Sequence, residues 1–281
     1  MTRKIKWLAE LAGLVMLGTG CGGGVASVHA PTPVTQQHVF LIVMENRSPA
    51  EALTGPFTAS LAASYGLADG YRAVAHPSVP NYLALSSGST WGVTDDSYHV
   101  LPQADLGDEL TAAGVSWKAY MEGMGDGGCF NSPLPYDPGH NPFAFYGGRC
   151  PANVVPFASF ASDLAAGPPR FSWISPDRCH DEHDCAVSAG DSWLREQAGA
   201  IMSSAAWRAG GVLFITWDED DGSAGNRVLT LVISPTAGHR VSERAYDHYS
   251  LLATVEDLLG VRRLGNSATA VAMTDLLKSQ A

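Results

Sequence analysis

Basic residues are scarce in this chain: 17 Lys and Arg stand against 28 Asp and Glu, giving a net charge of −11. A surface that grips nucleic-acid phosphates needs clustered cations. No Lys/Arg run occurs outside the extreme N-terminus, so nucleic acid is excluded as a partner. Long hydrophobic runs are also missing. Beyond the N-terminal segment, no apolar stretch reaches the roughly 18 residues of a membrane-spanning helix. There is no internal repeat, which removes solenoid and propeller architectures. Cysteine is sparse, at five residues. What is present is ordinary for a globular protein: 46% hydrophobic and 16% charged residues over 281 positions, enough for a sizeable core.

The first residues read as a targeting segment. Arg3, Lys4 and Lys6 precede an apolar stretch from Leu11 to Leu17, and small residues lead to Cys21. Leu17-Gly18-Thr19-Gly20-Cys21 is similar to a bacterial lipoprotein cleavage site, although the leucine lies four residues before the cysteine rather than three, and Glu10 interrupts the apolar segment. The alternative is an ordinary secretory signal cleaved near Ala30. Both predict export, to the cell surface as a lipoprotein or as a secreted or periplasmic protein. Membrane contact is then expected only through a lipid on Cys21. The resulting division is a signal peptide over 1–21, a Gly- and Pro-containing tether over 22–37, and one domain over 38–281.

The other four cysteines fit an oxidising compartment. Pairing Cys129 with Cys150 and Cys179 with Cys185 closes two local loops. The rival is a zinc site around Cys179, His180, His183 and Cys185, which free thiolates in an exported protein disfavour.

His38 to Met44 is a continuous apolar run that stops at Glu45-Asn46-Arg47-Ser48, as expected of a strand buried on both faces of a parallel sheet. Gly211 to Trp217 repeats the pattern and stops at Asp218-Glu219-Asp220-Asp221. Phe171 to Ile174 is a shorter version that ends before Asp177. Val115–Met121 and Val228–Ile233 are further strands. Helices are expected over Pro56–Tyr65, Ala104–Ala113, Phe157–Ala166, Asp191–Ala206 and Tyr249–Leu259. Strands alternating with helices imply an α/β fold; residues 122–156 form an excursion pinned by cysteines. Ligands of open α/β sheets bind beyond the carboxyl ends of the strands. Three such ends here carry Glu45/Asn46, Asp177 and Asp218/Glu219. Oxygen ligands gathered there suit a divalent metal ion.

A second element, His76-Pro77-Ser78-Val79-Pro80-Asn81-Tyr82, follows a probable strand over Gly70–Ala75. It sets Ser78 at the start of a helix, where free backbone N–H groups favour an anion. A serine there is either a helix cap or a nucleophile awaiting activation.

These motifs occur in the order Glu45-Asn46-Arg47-Ser48, His76-Pro77-Ser78-x-Pro80-Asn81, Trp217-Asp218-Glu219-x-x-Gly222 and Tyr246-Asp247-His248-Tyr249-Ser250. The series resembles the bacterial phosphoesterase family of acid phosphatases and phospholipases C, within the alkaline phosphatase superfamily, over residues 38–260. The resemblance implies a three-layer sandwich around a mostly parallel sheet. It implies that Glu45, Asn46, Asp218 and Glu219 bind one or more divalent metal ions, with Asp220 or Asp221 as alternatives to the latter pair. Ser78 would be the phosphorylated nucleophile and Asn81 would help hold the phosphate. Pro176-Asp177-x-Cys179-His180 resembles the superfamily segment whose Asp and His reach the metal and phosphate centre, with imperfect spacing. His180 or His248 would then protonate the leaving group.

The implied activity is hydrolysis of a small phosphoester or phospholipid. A phosphomonoesterase is favoured over a phospholipase C, whose members are typically much longer. Sulfatases on the same fold resemble Cys/Ser-x-Pro-x-Arg at the nucleophile; here Tyr82 takes the arginine position. A catalytically idle surface-binding homologue is the reading from another class, opposed by retention of nucleophile and acidic ligands together. His140, with no sequence partner, is expected to be a surface or satisfied histidine.

Overall fold

The computed structural model describes residues 37 to 277, Gln103 excepted. The targeting segment, Cys21 and all of the tether but its last residue lie outside the described residues. Strand β1 (Val39–Met44) is buried at all six positions, the pattern of a central strand covered on both faces. It is followed by helices α1 (Pro49–Ala52) and α2 (Pro56–Ser64), then by strands β2 (Gly66–Ala68) and β3 (Tyr71–Arg72). Helices α3 (Ser78–Ser87) and α4 (Leu106–Ala112) precede β4 (Trp117–Met121). The excursion holds α5 (Gly128–Asn131) and β5 (Val154–Pro156), and leads through α6 (Phe160–Ala166) to β6 (Phe171–Ser175). The remainder is α7 (Val187–Ser203), α8 (Ala205–Arg208), β7 (Val212–Trp217), β8 (Thr230–Ile233), β9 (Arg240–Ser242), β10 (Tyr246–Asp247) and α9 (His248–Leu259).

Eight strands form one sheet in the order β5-β4-β6-β1-β7-β8-β2-β9, while β10 and β3 pair separately. Only β8 runs antiparallel to its neighbours in the large sheet. Helices α3 and α9 pack together, as do α2 and α7, supplying the helical layers over the sheet. The fold is the expected α/β sandwich with a mostly parallel sheet. The described residues form one compact unit, which holds the entire described core.

Register puts the chemistry in place. The strands β1 and β7 pair from Val39↔Val212 to Met44↔Trp217, and the Asp218 amide donates to the Met44 carbonyl at 2.9 Å. The next residues, Glu45 and Asp218, therefore leave the sheet side by side. On the other flank β6 pairs with β1 up to Ile42↔Ile174, and the Glu45 amide donates to the Asp181 carbonyl at 2.9 Å. Three parallel strands thus release their loops at one edge.

Both expected disulfides are present, Cys129–Cys150 and Cys179–Cys185, so the zinc alternative is overturned. Helix ends are set by short polar side chains. Asp191, buried on α7, accepts from the Phe57 and Thr58 amides at 3.1 and 2.7 Å; these are orphan donors of the first turn of α2. Helix α3 ends at Gly88 with φ 72°, where an added Cβ would collide with the Leu264 carbonyl oxygen. Replacing Asp191 with Ala leaves those α2 donors unpaired and is expected to cost about 1–2 kcal/mol. Urea denaturation monitored by circular dichroism measures it; an unchanged midpoint would show that the cap contributes nothing.

Candidate active site

Ser78 is the first residue of α3 and is nearly buried. Its hydroxyl lies 3.2 Å from Glu45 Oε2 and 3.2 Å from Glu219 Oε1. Asp218 stands beside them, its Oδ1 accepting from the Asn46 amide at 3.1 Å. Asn46 adopts φ 43°, a left-handed conformation that asparagine tolerates and that turns the chain off the end of β1. Of the four acidic residues after β7, Glu219 and Asp218 are the ones beside Ser78 and Asn46. Asp220 instead closes its own turn, accepting from the amides of Gly222 and Ala224 at 3.0 and 2.6 Å, and exposed Asp221 accepts from Ser223.

The β6 loop delivers a different residue from the one expected. Asp177 Oδ1 accepts from the Cys179 and His180 amides at 3.0 Å each. His180 Nδ1 pairs with Glu122 Oε2 at 3.0 Å. These two residues lie with Glu122 in a cluster of their own, not in the Ser78 group. The reason is the tight Asp177 turn, which carries the chain past them before it reaches the sheet edge. Asp181, fully buried, takes the place at the edge; its Oδ2 lies 3.1 Å from His140 Nδ1.

His140 corrects a second expectation, because it is buried inside the site. Its Nε2 lies 3.3 Å from Glu45 Oε1, and its ring stacks on Tyr82 with centroids 5.1 Å apart and planes at 4°. His248 is also buried. Nε2 faces the Asp218 carbonyl oxygen at 2.6 Å and Nδ1 faces the Tyr71 hydroxyl at 2.9 Å. Both nitrogens are thus occupied in a neutral imidazole, Nε2–H donating and Nδ1 accepting. His248 fixes the Asp218 backbone and is not placed to donate a proton to a substrate. Asn81 is likewise structural. Its Oδ1 accepts from the Val74 and Ala75 amides, and its Nδ2 donates to the Ala75 and Pro77 carbonyls. With all of its polar atoms spent on the loop before Ser78, it has none for a phosphate. Asn226 Nδ2 donates to the same Ala75 carbonyl at 2.8 Å while its Oδ1 accepts from the Asp220 amide, tying the Ser78 loop to the Asp218–Glu219 loop.

The helix N-terminus offers less than expected. Val79 N donates to Asp96 Oδ1 at 3.0 Å, and Pro80 has no N–H, which leaves the Ser78 amide. Cationic side chains stand nearby instead. A cavity of about 340 Å³ is lined by Ser78, Asp96, Asp137, His140, Arg178 and His183. A more open one is lined by Asn46, Arg47, His76, His183, Glu219 and Asp220. His183 borders both. His76 Nδ1 sits 2.5 Å from Glu219 Oε2, and its Nε2 is 3.2 Å from Asp220 Oδ1. Of these groups, His76 was visible in its motif. His183 and Asp181 carried the weaker signal of a short acidic and histidine run after a strand, and His140 carried none.

Electrostatics show what the pocket lacks. Burial raises the Glu45 carboxyl well above its usual range, and Asp218 adds to the shift. Burial, with Glu219 next to it, lifts Asp218 to about 7; burial, with Asp96 and Asp220, lifts Glu219 to about 7. Burial opposes charge on His140, yet Glu45 and Asp181 outweigh it and raise the imidazole to about 10. Asp218 Oδ2 and Asn46 Oδ1 are buried with no hydrogen-bond partner, an uncommon state for native polar atoms. A donor set of carboxylate, amide and hydroxyl oxygens fits a hard divalent cation, and Glu45, Asn46, Ser78, Asp218 and Glu219 are the residues that would hold one.

The site sets a buried serine hydroxyl between carboxylates at the carboxyl ends of a mostly parallel sheet, an arrangement suited to a hydrolytic enzyme. Comparison with known proteins gives the particular family. A model of the Phosphoesterase family matches residues 51–262. The chain is 32% identical to a phosphatidylinositol-3-phosphatase of Mycobacterium tuberculosis over 260 residues, 90% of this chain and 86% of that protein. It is 26% identical over 267 residues to an acid phosphatase of Aspergillus fumigatus, 85% of this chain and 60% of the fungal one. Among solved structures, murine ectonucleotide pyrophosphatase/phosphodiesterase 5, an inactive form in complex with AMP, superposes with a TM-score of 0.64 at 10% identity, covering 85% of this chain and 99% of that one. An alkaline phosphatase superfamily protein from Vibrio parahaemolyticus gives 0.61 at 13%, covering 85% and 71%. The two structures share the fold. The chain belongs to the Phosphoesterase family, and it is a phosphoric ester hydrolase.

Asp218 and Glu219 have pKa values raised in the fold, from 3.8 and 4.5 to about 7. Their contribution to stability is therefore complete below their unfolded values and is lost as pH rises through about 7. In chelator, the melting temperature is expected to fall between about pH 4 and pH 7, and Asp218→Asn is expected to flatten that fall. A melting temperature that rises over this range in the unsubstituted protein contradicts the assignment.

Proposed function

We propose that this chain is an exported phosphomonoesterase that works through a phosphoserine formed on Ser78. The observation that carries the reading is the Ser78 hydroxyl held 3.2 Å from two carboxylates, Glu45 and Glu219. Glu45, Asn46, Ser78, Asp218 and Glu219 would hold a divalent cation, which when bound supplies charge stabilisation for phosphoryl oxygens and a more acidic serine. Either carboxylate beside Ser78 is placed to receive the hydroxyl proton. Ser78 Oγ then bonds to phosphorus as the bond from phosphorus to the leaving oxygen breaks. His183 lines the cavity that holds Ser78, and its Nδ1 is fixed between Asp184 Oδ1 at 2.8 Å and Arg178 Nη2 at 3.0 Å; its other nitrogen gives a proton to the leaving oxygen. Water then displaces Ser78 from phosphorus. Arg178, anchored by Asp137 and Asp184, supplies positive charge in the same cavity.

The Mycobacterium relative's name brings a phosphoinositide to this reading, a lipid whose headgroup carries a phosphomonoester. Export, with lipid attachment at Cys21, completes it; the basic n-region and two disulfides support a route to an oxidising compartment.

Ser78→Ala is expected to lower hydrolysis of a chromogenic phosphomonoester by about 10³-fold or more while leaving calorimetric binding of a divalent cation measurable. His183→Ala is expected to reduce kcat by about 10²–10⁴-fold, most for esters with poor leaving groups, with His180→Ala close to unsubstituted. Chelator should abolish turnover and added divalent metal restore it. Full activity of Ser78→Ala, or of the chelated enzyme, refutes the mechanism; equal losses from the two histidine substitutions refute the role of His183.

A further inference from the structure

Charge on the wall of the Ser78 cavity is unevenly balanced. Arg178 pairs with Asp137 and Asp184 at 3.3 and 2.9 Å, and His183 Nδ1 lies 2.8 Å from the same Asp184. His140 is held between Glu45 and Asp181. Each basic group of the wall therefore already faces at least one acid. Asp96 is the exception among the charged wall residues. Its Oδ1 accepts from the Val79 amide at 3.0 Å, and it forms no ion pair among the described residues. The preceding acid is spent differently: Asp95 Oδ1 pairs with His99 Nε2 at 2.9 Å and accepts from the Ser97 amide at 2.8 Å.

The Val79 bond fixes where the Asp96 carboxylate stands. Val79 follows Ser78 in α3, so an acid held on its amide lies next to the nucleophile. Asp96 is exposed as a residue, yet it lines the cavity of about 340 Å³ together with Ser78. Its charge reaches the reacting centre as well: burial raises the Glu219 carboxyl to about 7, and Asp96 adds to the rise. For the Ser78 hydroxyl to reach phosphorus, the phosphoryl group must lie against Ser78. The alcohol part of the ester then extends into the cavity that Ser78 and Asp96 share; the more open neighbouring cavity does not include Ser78. A negative group on that alcohol would meet Asp96 with no unpaired cation on the wall to offset it.

We propose that Asp96 is a specificity-determining residue, whose carboxylate disfavours phosphomonoesters with an anionic alcohol part and favours those whose alcohol part presents hydroxyl or ammonium donors. The inference rests on the phosphomonoesterase reading above and deepens it. Like charges a few ångströms apart in a partly solvated site repel enough to separate rates by about fivefold or more. A hydroxyl or ammonium in the same place instead donates to the second carboxylate oxygen. Selection of this kind works by rejecting the wrong ester as much as by holding the right one.

The test compares two soluble esters of similar size on the full chain with divalent metal added: glycerol phosphate, and phosphoglycerate, in which a carboxylate replaces the terminal hydroxymethyl group. Unsubstituted protein is expected to favour glycerol phosphate by about fivefold or more in kcat/KM, and added salt to narrow that ratio. Asp96→Asn keeps an oxygen acceptor for the Val79 amide and removes only the charge. It should shrink the ratio by about fivefold or more and remove its salt dependence. Taking the ratio cancels any effect on the Ser78 chemistry that both esters share. Asp96→Ala removes the charge and the acceptor together and should shift the ratio as far as Asp96→Asn does; the melting temperature checks folding. An unsubstituted ratio near one overturns the proposal, and so does a ratio that survives Asp96→Asn. A ratio that falls only in Asp96→Ala overturns it too, because the Val79 bond and not the charge would then set the preference. Turnover of neither ester by folded unsubstituted protein defeats the phosphomonoesterase reading instead. The same comparison, made as calorimetric affinities on Ser78→Ala and Ser78→Ala/Asp96→Asn, then decides the role of Asp96 by itself.

Discussion

Bringing several carboxylates to one buried place at the end of a sheet sets the terms for everything around it. Glu45, Asp218 and Asp181 are fully buried and Glu219 nearly so; desolvation, with repulsion between neighbours, opposes ionisation of Glu45, Asp218 and Glu219. Folding proceeds regardless because the strands that deliver them are held by extensive apolar burial. His140, which Glu45 and Asp181 hold in its charged form, partly offsets the negative charge. Such a site is poorly satisfied by protein groups alone. Orphaned Asp218 Oδ2 and Asn46 Oδ1 are the visible consequence, and a divalent cation is the partner of matching chemistry.

The surroundings are built to hold this arrangement still. Asn81 and Asn226 converge on the Ala75 carbonyl, so the loop carrying the nucleophile and the loop carrying two carboxylates share one anchor. His248, kept neutral by burial, which lowers it to about 4, pins the Asp218 backbone from α9. On the other flank, Trp217 Nε1 donates to Glu182 and Arg47 donates to the Glu182 and Cys185 carbonyls, joining the β6 loop to β7 and β1. A nucleophile needs this kind of preorganisation, because misplacement by an ångström is costly in rate.

Much of the frame was legible from periodicity. Apolar runs ending in Glu45 and Asp218 marked two central strands, because a strand covered on both faces must be apolar throughout. The serine before a helix was equally visible. Roles that depend on which way a turn closes were not. Asp177 and His180 looked right by spacing, yet the Asp177 turn bends them toward Glu122 and brings Asp181 to the sheet edge. Asn81 and His248 stood within recognisable motifs, but a motif does not say whether a side chain faces a substrate or its own backbone.

By itself, the sequence marked the sheet's central strands, which a short local pattern encodes; it favoured both cysteine pairings, and through the family resemblance it offered Ser78 and an acidic pair whose register it left open. Only the tertiary structure decided that His140, from an excursion with no periodicity, enters the site, and that His183 borders it where His180 does not. The physical reason is sequence distance. Strand pattern and loop closure act over a few residues, whereas the contacts of Glu45 with Ser78, His140 and Asp181 join segments set by β-pairing and core packing far along the chain.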